Sequence, residues 1–136
     1  MTVDYDKDTW KILVVDDVQV HRFLMTSGLG RINPCLQISE ACNFSEATAM
    51  LSDGAFDVVV SDWNMPTGGG GGGELVKWMR ARPHFCRVPF VMISGNAQND
   101  DIISAFMELG VDAYVVKPFT AQDLYSKIKF AVEKRR

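Results

Sequence analysis

The sequence has little cysteine and no excess of positive charge. Its three cysteines, Cys35, Cys42 and Cys86, are odd in number and lack C-x-x-C spacing, which argues against a disulfide framework and a zinc site. We expect reduced thiols with structural roles. Asp and Glu number 17 against 14 Lys and Arg, a formal net charge of −3. This balance gives no electrostatic reason to expect nucleic-acid binding.

Long apolar runs are also absent. None approaches the roughly 20 residues that a membrane-spanning helix needs, and the amino terminus, MTVDYDKDTW, is acidic where a leader would be basic. We therefore expect a cytoplasmic protein without membrane contact. With 136 residues, 47% of them hydrophobic, the chain 1–136 is predicted to form a single domain whose core covers about 11–134.

Apolar runs of strand length alternate with longer segments of helical periodicity. Several runs are nearly continuous in Val, Ile and Phe, which is typical of strands buried on both faces of a parallel sheet. The predicted strands are 11–15, 36–41, 56–61, 88–94 and 112–117, and the predicted helices are 17–30, 44–53, 74–82, 98–109 and 120–134. Five such repeats predict an α/β fold, a single doubly wound five-stranded parallel sheet with five helices on its two faces.

Polar side chains stand at the carboxyl ends of four predicted strands, which share one edge of a parallel sheet. Taken singly, each has an ordinary explanation, such as capping the next helix. Together they place three carboxylates, a hydroxyl and an amine on one rim, a composition that capping does not explain. The residues concerned are Asp16 and Asp17, Asp62, Ser94, and Lys117 followed by Pro118.

Three neighbouring carboxylates repel one another unless a cation is present. Mg²⁺ suits them because it takes hard oxygen ligands and leaves positions for water and a phosphoryl group. The ammonium of Lys117 would help neutralise a phosphate, and the hydroxyl of Ser94 could donate to it. A carboxylate so placed can attack phosphorus and become an aspartyl phosphate. Asp62, on the middle strand, is the best candidate for this role.

With the stretches ILVVDD, SDWNMP and AYVVKPFTAQDL, these residues resemble the receiver domain of two-component response regulators, especially the stand-alone receivers of chemotaxis. The resemblance covers about 11–132 and implies the flavodoxin-like strand order 2-1-3-4-5. Asp62 would accept a phosphoryl group from a sensor histidine kinase or from acetyl phosphate, and Lys117 would contact it. The implied Mg²⁺ ligands are Asp16, Asp17, Asp62 and the backbone carbonyl of Asn64.

The resemblance assigns further roles around this site. The peptide bond before Pro118 would be cis. Ser94 would move toward the phosphoryl group and Tyr114 would turn inward with it, changing the surface of the fourth helix, fifth strand and fifth helix. Asn64 and Asn96 would line the path of the attacking water and tune the lifetime of the phosphate.

The implied function is a monomeric binding switch that autocatalyses its own phosphorylation and dephosphorylation but is not a turnover enzyme. Its target would be a downstream protein, such as a flagellar motor switch protein. The alternative is a phosphate sink or carrier that drains a histidine kinase without a dedicated target. A haloacid-dehalogenase phosphatase also forms an aspartyl phosphate, but it needs an acid two residues after the nucleophile, where this sequence has Asn64.

Six consecutive glycines, Gly68 to Gly73, follow the third strand. A Walker-type loop needs Lys and Ser or Thr after its last glycine, and Glu74 follows instead. The apolar residue that docks the third helix in receivers is missing, and glycine's backbone freedom predicts a flexible loop at 67–73. Two hypotheses stay open: the loop widens access to the acceptor, or it is an inert insertion, natural or introduced. His21 and His84 lack a partner at metal-ligand spacing, so surface roles are expected for both.

Overall fold

Five parallel strands form one sheet in a computed structural model that describes residues 8–65, 69–95, 104 and 107–135. The strands are β1 (Lys11–Val15), β2 (Gln37–Ala41), β3 (Val58–Asp62), β4 (Phe90–Ser94) and β5 (Ala113–Val116). Their order is β2-β1-β3-β4-β5, with parallel pairing throughout. The predicted doubly wound sheet and its flavodoxin-like order are confirmed.

The part of the chain that the structure describes contains four complete helices. They are α1 (Gln19–Ile32), α2 (Phe44–Asp53), α3 (Gly72–Arg80) and α4 (Ala121–Lys134). The remaining predicted helix, 98–109, lies mostly outside the described residues, although Ser104, Met107 and Glu108 are helical. None of the described helices has the length and apolar character that crossing a membrane requires.

The core has two layers because successive side chains of a strand point to opposite faces of the sheet. Alternate residues of the same strands therefore enter different clusters. One cluster joins the sheet to α1 and α4, and includes Val14, Val60, Leu29 and Ile128. The other joins it to α2 and α3, and includes Leu13, Val59, Leu51 and Leu75. Burial on both sides explains why the strands are nearly continuous apolar runs.

At the amino ends of the strands, a buried carboxylate holds the last helix in place. Asp112 is fully buried, accepts a hydrogen bond from the Phe90 backbone N–H at 2.9 Å, and pairs with Arg80 at 3.2 Å and Arg135 at 2.8 Å. Burial, and then the nearby charge of Arg135, lower the pKa of Arg80 to about 10. Arg80 therefore stays charged at neutral pH. This network lies at the rim opposite the carboxyl ends of the strands.

Candidate metal centre

Three carboxylates meet where β1 and β3 end. The two strands pair in parallel with Val15 opposite Ser61, so the residues that follow are neighbours. One carboxylate oxygen from each of Asp16, Asp17 and Asp62 lies within 4.8 Å of the others. Asp16 and Asp62 are buried, whereas Asp17 is half-buried. The structure thus brings together the three acids singled out in the sequence.

Asp62 is the last residue of β3, and both of its carboxylate oxygens have a partner. Its Oδ1 accepts a hydrogen bond from the backbone N–H of Asn64 at 3.3 Å, and its Oδ2 lies 3.2 Å from Nζ of Lys117. Lys117 is positioned by the end of β5, where its backbone N–H donates to the carbonyl of Ser94 at 2.8 Å. The peptide bond between Lys117 and Pro118 is cis. The predicted acceptor and the predicted lysine are therefore in direct contact.

Asp16 has one satisfied oxygen and one unsatisfied oxygen. Its Oδ1 accepts a hydrogen bond from the Val18 backbone N–H at 2.9 Å, whereas its buried Oδ2 has no hydrogen-bond partner. Burial raises the pKa of Asp16, and the Asp62 carboxylate adds to the rise, while the bond from Val18 opposes it. A buried acceptor without a donor, set among carboxylate oxygens, is the environment that a hard divalent cation satisfies. The residues present therefore fit Mg²⁺.

The remaining predicted site residues that the structure describes differ in their exposure to solvent. Ser94 ends β4 and is buried, and it pairs with Val116 of β5. Tyr114 lies on β5 and is 37% exposed. Asn64 is exposed beside the acceptor. Asn96 falls outside the described residues. The switch and tuning roles of these four residues stay predictions.

The glycine segment begins α3 and touches the acceptor strand. Gly72 and Gly73 belong to the helix, so the predicted loop at 67–73 is wrong at this end. Thr67 and Gly68, at its other end, lie outside the described residues. The Gly72 N–H donates to the carbonyl of Trp63 at 3.1 Å, and a Cβ on Gly72 would lie only 2.7 Å from the backbone oxygen of Asp62. The Gly71 N–H donates to the carboxylate of Glu74 at 2.9 Å. The missing side chains let the helix lie directly on this backbone.

Sequence reasoning missed His21 as a neighbour of the cluster. Its Nδ1 lies 3.5 Å from Oδ2 of Asp16, and both atoms are buried without a hydrogen-bond partner. The two residues line a cavity of about 300 Å³ together with Lys117 and apolar side chains of α1 and α4. The signal was available, because a histidine in the first turn of a helix that follows an acid closely can fold back toward it. His84 is exposed in the loop after α3, as expected.

Comparisons with known proteins agree with this fold and show the family. Residues 12–129 match the family described as the response regulator receiver domain. The chain is 40% identical to the chemotaxis protein CheY of Pseudomonas aeruginosa over 124 residues, 91% of this chain and 97% of the relative. It is also 40% identical to CheY-3 of Vibrio cholerae over 118 residues, 87% of this chain and 88% of that protein.

A solved structure gives the same result in three dimensions. The chemotaxis protein CheY4 of Vibrio cholerae superposes with a TM-score of 0.82 at 26% identity, covering 91% of this chain and 99% of the other. The resemblance first indicated by the acids, the lysine and their strands is thereby confirmed at the level of the whole sheet. The chain belongs to the response regulator receiver domain family.

Proposed function

We propose that this receiver is a response regulator of chemotaxis-type signalling that accepts a phosphoryl group on Asp62 from a sensor histidine kinase. The observation that carries the proposal is the 3.2 Å contact between Nζ of Lys117 and Oδ2 of Asp62 within the cluster of three acids. It pairs a buried nucleophilic carboxylate with the cation that a transferred phosphoryl group needs. The CheY relatives support the chemotaxis assignment.

The chemistry follows from the atoms at the rim of the sheet. A carboxylate oxygen of Asp62 attacks phosphorus, and the bond from phosphorus to the histidine nitrogen of the kinase, or to the acyl oxygen of acetyl phosphate, breaks. Its electron pair leaves with the imidazole or the acetate. The Lys117 ammonium exchanges its contact with the acceptor for a contact with a phosphoryl oxygen. Mg²⁺ would supply further neutralisation of that charge, held by Asp16, Asp17, Asp62 and the carbonyl of Asn64.

Phosphorylation would be read out at the protein's surface. Ser94 would follow the phosphoryl group and Tyr114 would turn inward, altering the face around β5 and α4 for a cytoplasmic partner such as a flagellar motor switch protein. Tyr114 is 37% exposed, so an inward rotation would change the surface that a partner meets. Water would later attack phosphorus and release phosphate, returning Asp62 to its carboxylate.

Incubation with acetyl phosphate and Mg²⁺ followed by intact mass spectrometry tests the proposal. The unaltered protein is expected to gain the mass of one phosphoryl group, and Asp62→Asn is expected to gain none. Asp57→Asn is the matched control, because Asp57 is an exposed acid immediately before the same strand that Asp62 ends. An unmodified parent protein, or a phosphorylated Asp62→Asn variant, contradicts the proposed acceptor.

A second experiment separates the switch from the phosphate sink. Affinity for a motor switch protein is measured with and without beryllofluoride, which mimics the phosphoryl group on an aspartate. A switch binds more tightly when beryllofluoride and Mg²⁺ are present. A sink accepts phosphoryl groups at the same rate but shows the same affinity in both conditions.

A further inference from the structure

We infer that His21 is a positioning residue of the metal centre, whose ring N–H holds the second carboxylate oxygen of Asp16. The inference deepens the proposed function and rests on it, since Asp16 would be a ligand of the Mg²⁺ used in phosphorylation. It assigns a role to a side chain that the reaction described above does not use.

The geometry comes from the short connection between β1 and α1. Asp16 follows β1 directly and α1 begins at Gln19, so His21 in the first helical turn lies next to the end of the strand. Its Nδ1 is 3.5 Å from Oδ2 of Asp16. An N–H···O hydrogen bond spans about 2.7–3.2 Å, so the two groups face each other just beyond bonding distance. Closing the gap needs a movement of only about 0.5 Å.

Burial keeps water from serving as a hydrogen-bond partner for Oδ2 of Asp16 and Nδ1 of His21. Oδ2 of Asp16 and Nδ1 of His21 are both inaccessible to solvent and lack a hydrogen-bond partner. The His21 side chain is nevertheless 42% exposed, so its solvent contact is made by the other ring atoms. A neutral imidazole has one N–H. Placing it on Nδ1 satisfies both buried atoms and leaves Nε2 to accept from water.

A donor at this place would orient the carboxylate for a cation. The other oxygen of Asp16 is already held by the Val18 N–H at 2.9 Å, so the two donors together would fix the plane of the carboxylate. Each oxygen keeps a further lone pair for a metal ion. Carboxylates that bind metals are commonly held by such outer hydrogen bonds, and removing one typically costs about 10-fold or more in metal affinity.

The test compares Mg²⁺ binding by the unaltered protein with that of His21→Ala and His21→Asn, measured by isothermal titration calorimetry at about pH 8. His21→Ala is expected to bind Mg²⁺ about 10-fold more weakly. His21→Asn, whose side-chain amide can place a donor near the position of Nδ1, is expected to stay within about 3-fold of the parent. His84→Ala, which removes the other histidine, is the matched control and should bind like the parent. Thermal unfolding verifies that each variant is folded.

Nitrogen NMR of the His21 ring gives a second readout that packing alone does not determine. The Nδ1–H tautomer is expected at the same pH, and the Nε2–H tautomer would overturn the inference. The inference would also be overturned if His21→Ala bound Mg²⁺ as tightly as the parent or more tightly. The same holds if His21→Asn lost as much Mg²⁺ affinity as His21→Ala. If the parent binds Mg²⁺ and is phosphorylated on Asp62, and His21→Ala binds Mg²⁺ with the same affinity, this inference alone is refuted. A parent that binds no Mg²⁺ refutes the proposed function as well.

Discussion

Replacing Gly72 with alanine should destabilise the protein, although alanine is the better helix former. The new Cβ would lie 2.7 Å from the backbone oxygen of Asp62 and 3.1 Å from Cα of Trp63. Carbon and carbonyl oxygen approach to about 3.3 Å even in close contacts, so the acceptor strand must shift by about 0.6 Å. Overpacking of this kind costs about 1–3 kcal/mol, and helix propensity returns at most about 1 kcal/mol. We expect a net loss of about 1–2 kcal/mol.

Gly30 provides the matched control. It also lies in a helix, but a Cβ there would meet no atom within 4 Å. Gly30→Ala should therefore stabilise the protein by about 0.5–1 kcal/mol. Urea unfolding followed by circular dichroism measures both free energies by linear extrapolation. The free energies of unfolding of the two variants should differ by about 1.5–3 kcal/mol, with opposite signs relative to the parent.

The same substitution should affect the chemistry, because the displaced carbonyl belongs to the acceptor residue. Gly72→Ala is expected to slow phosphorylation by acetyl phosphate, whereas Gly30→Ala should leave its rate unchanged. If Gly72→Ala proves as stable as the parent, or gains stability as Gly30→Ala does, the glycines do not serve close approach and the explanation given for the start of α3 is wrong.

Three other predictions concern charged residues. Lys117→Ala, which removes the ammonium 3.2 Å from the acceptor carboxylate, should lower the rate of phosphorylation by acetyl phosphate about 100-fold, measured by mass spectrometry over time. Asp112→Ala leaves Arg80 without its buried counterion and should cost about 3–5 kcal/mol in urea unfolding, whereas the exposed Asp53→Ala should change the free energy of unfolding by less than about 0.5 kcal/mol. Asp16→Asn should raise stability at neutral pH without metal and abolish Mg²⁺ binding. Because burial raises the pKa of Asp16 above 3.8, the stability cost of ionising it builds up as pH rises from 3.8 and is complete above the raised pKa, and the amide removes that cost.

The sheet could be predicted because its strands carry a strong local signal. β1 was placed at 11–15 and runs from Lys11 to Val15, since burial on both faces requires an unbroken apolar run. The three acids were found for a related reason, because parallel strands end at one edge. Helix boundaries depend on local backbone conformation that the apolar pattern does not specify. The first helix is predicted at 17–30, whereas α1 begins at Gln19, after Val18 adopts an extended backbone as its N-cap.

The contact between the glycines and the acceptor strand could not be predicted from the sequence, because it depends on how the start of α3 packs against the end of β3. Glycine occurs both in flexible segments and where two backbones pack closely. Only the position of Asp62 beside Gly72 shows which of these applies here. For His21, the sequence indicates proximity to Asp16, but the burial of its Nδ1 depends on how α1 packs against the sheet. Residue type alone does not contain that information.

The placement of Asp112 and its arginines at the amino ends of the strands has a practical consequence. Asp112 with its arginines and the acidic cluster lie at opposite ends of the strands, separated by the length of the buried sheet. Substitutions near Asp112 that strengthen the attachment of the last helix are therefore expected to raise the thermal stability of this receiver. The rate of phosphorylation is expected to remain that of the parent.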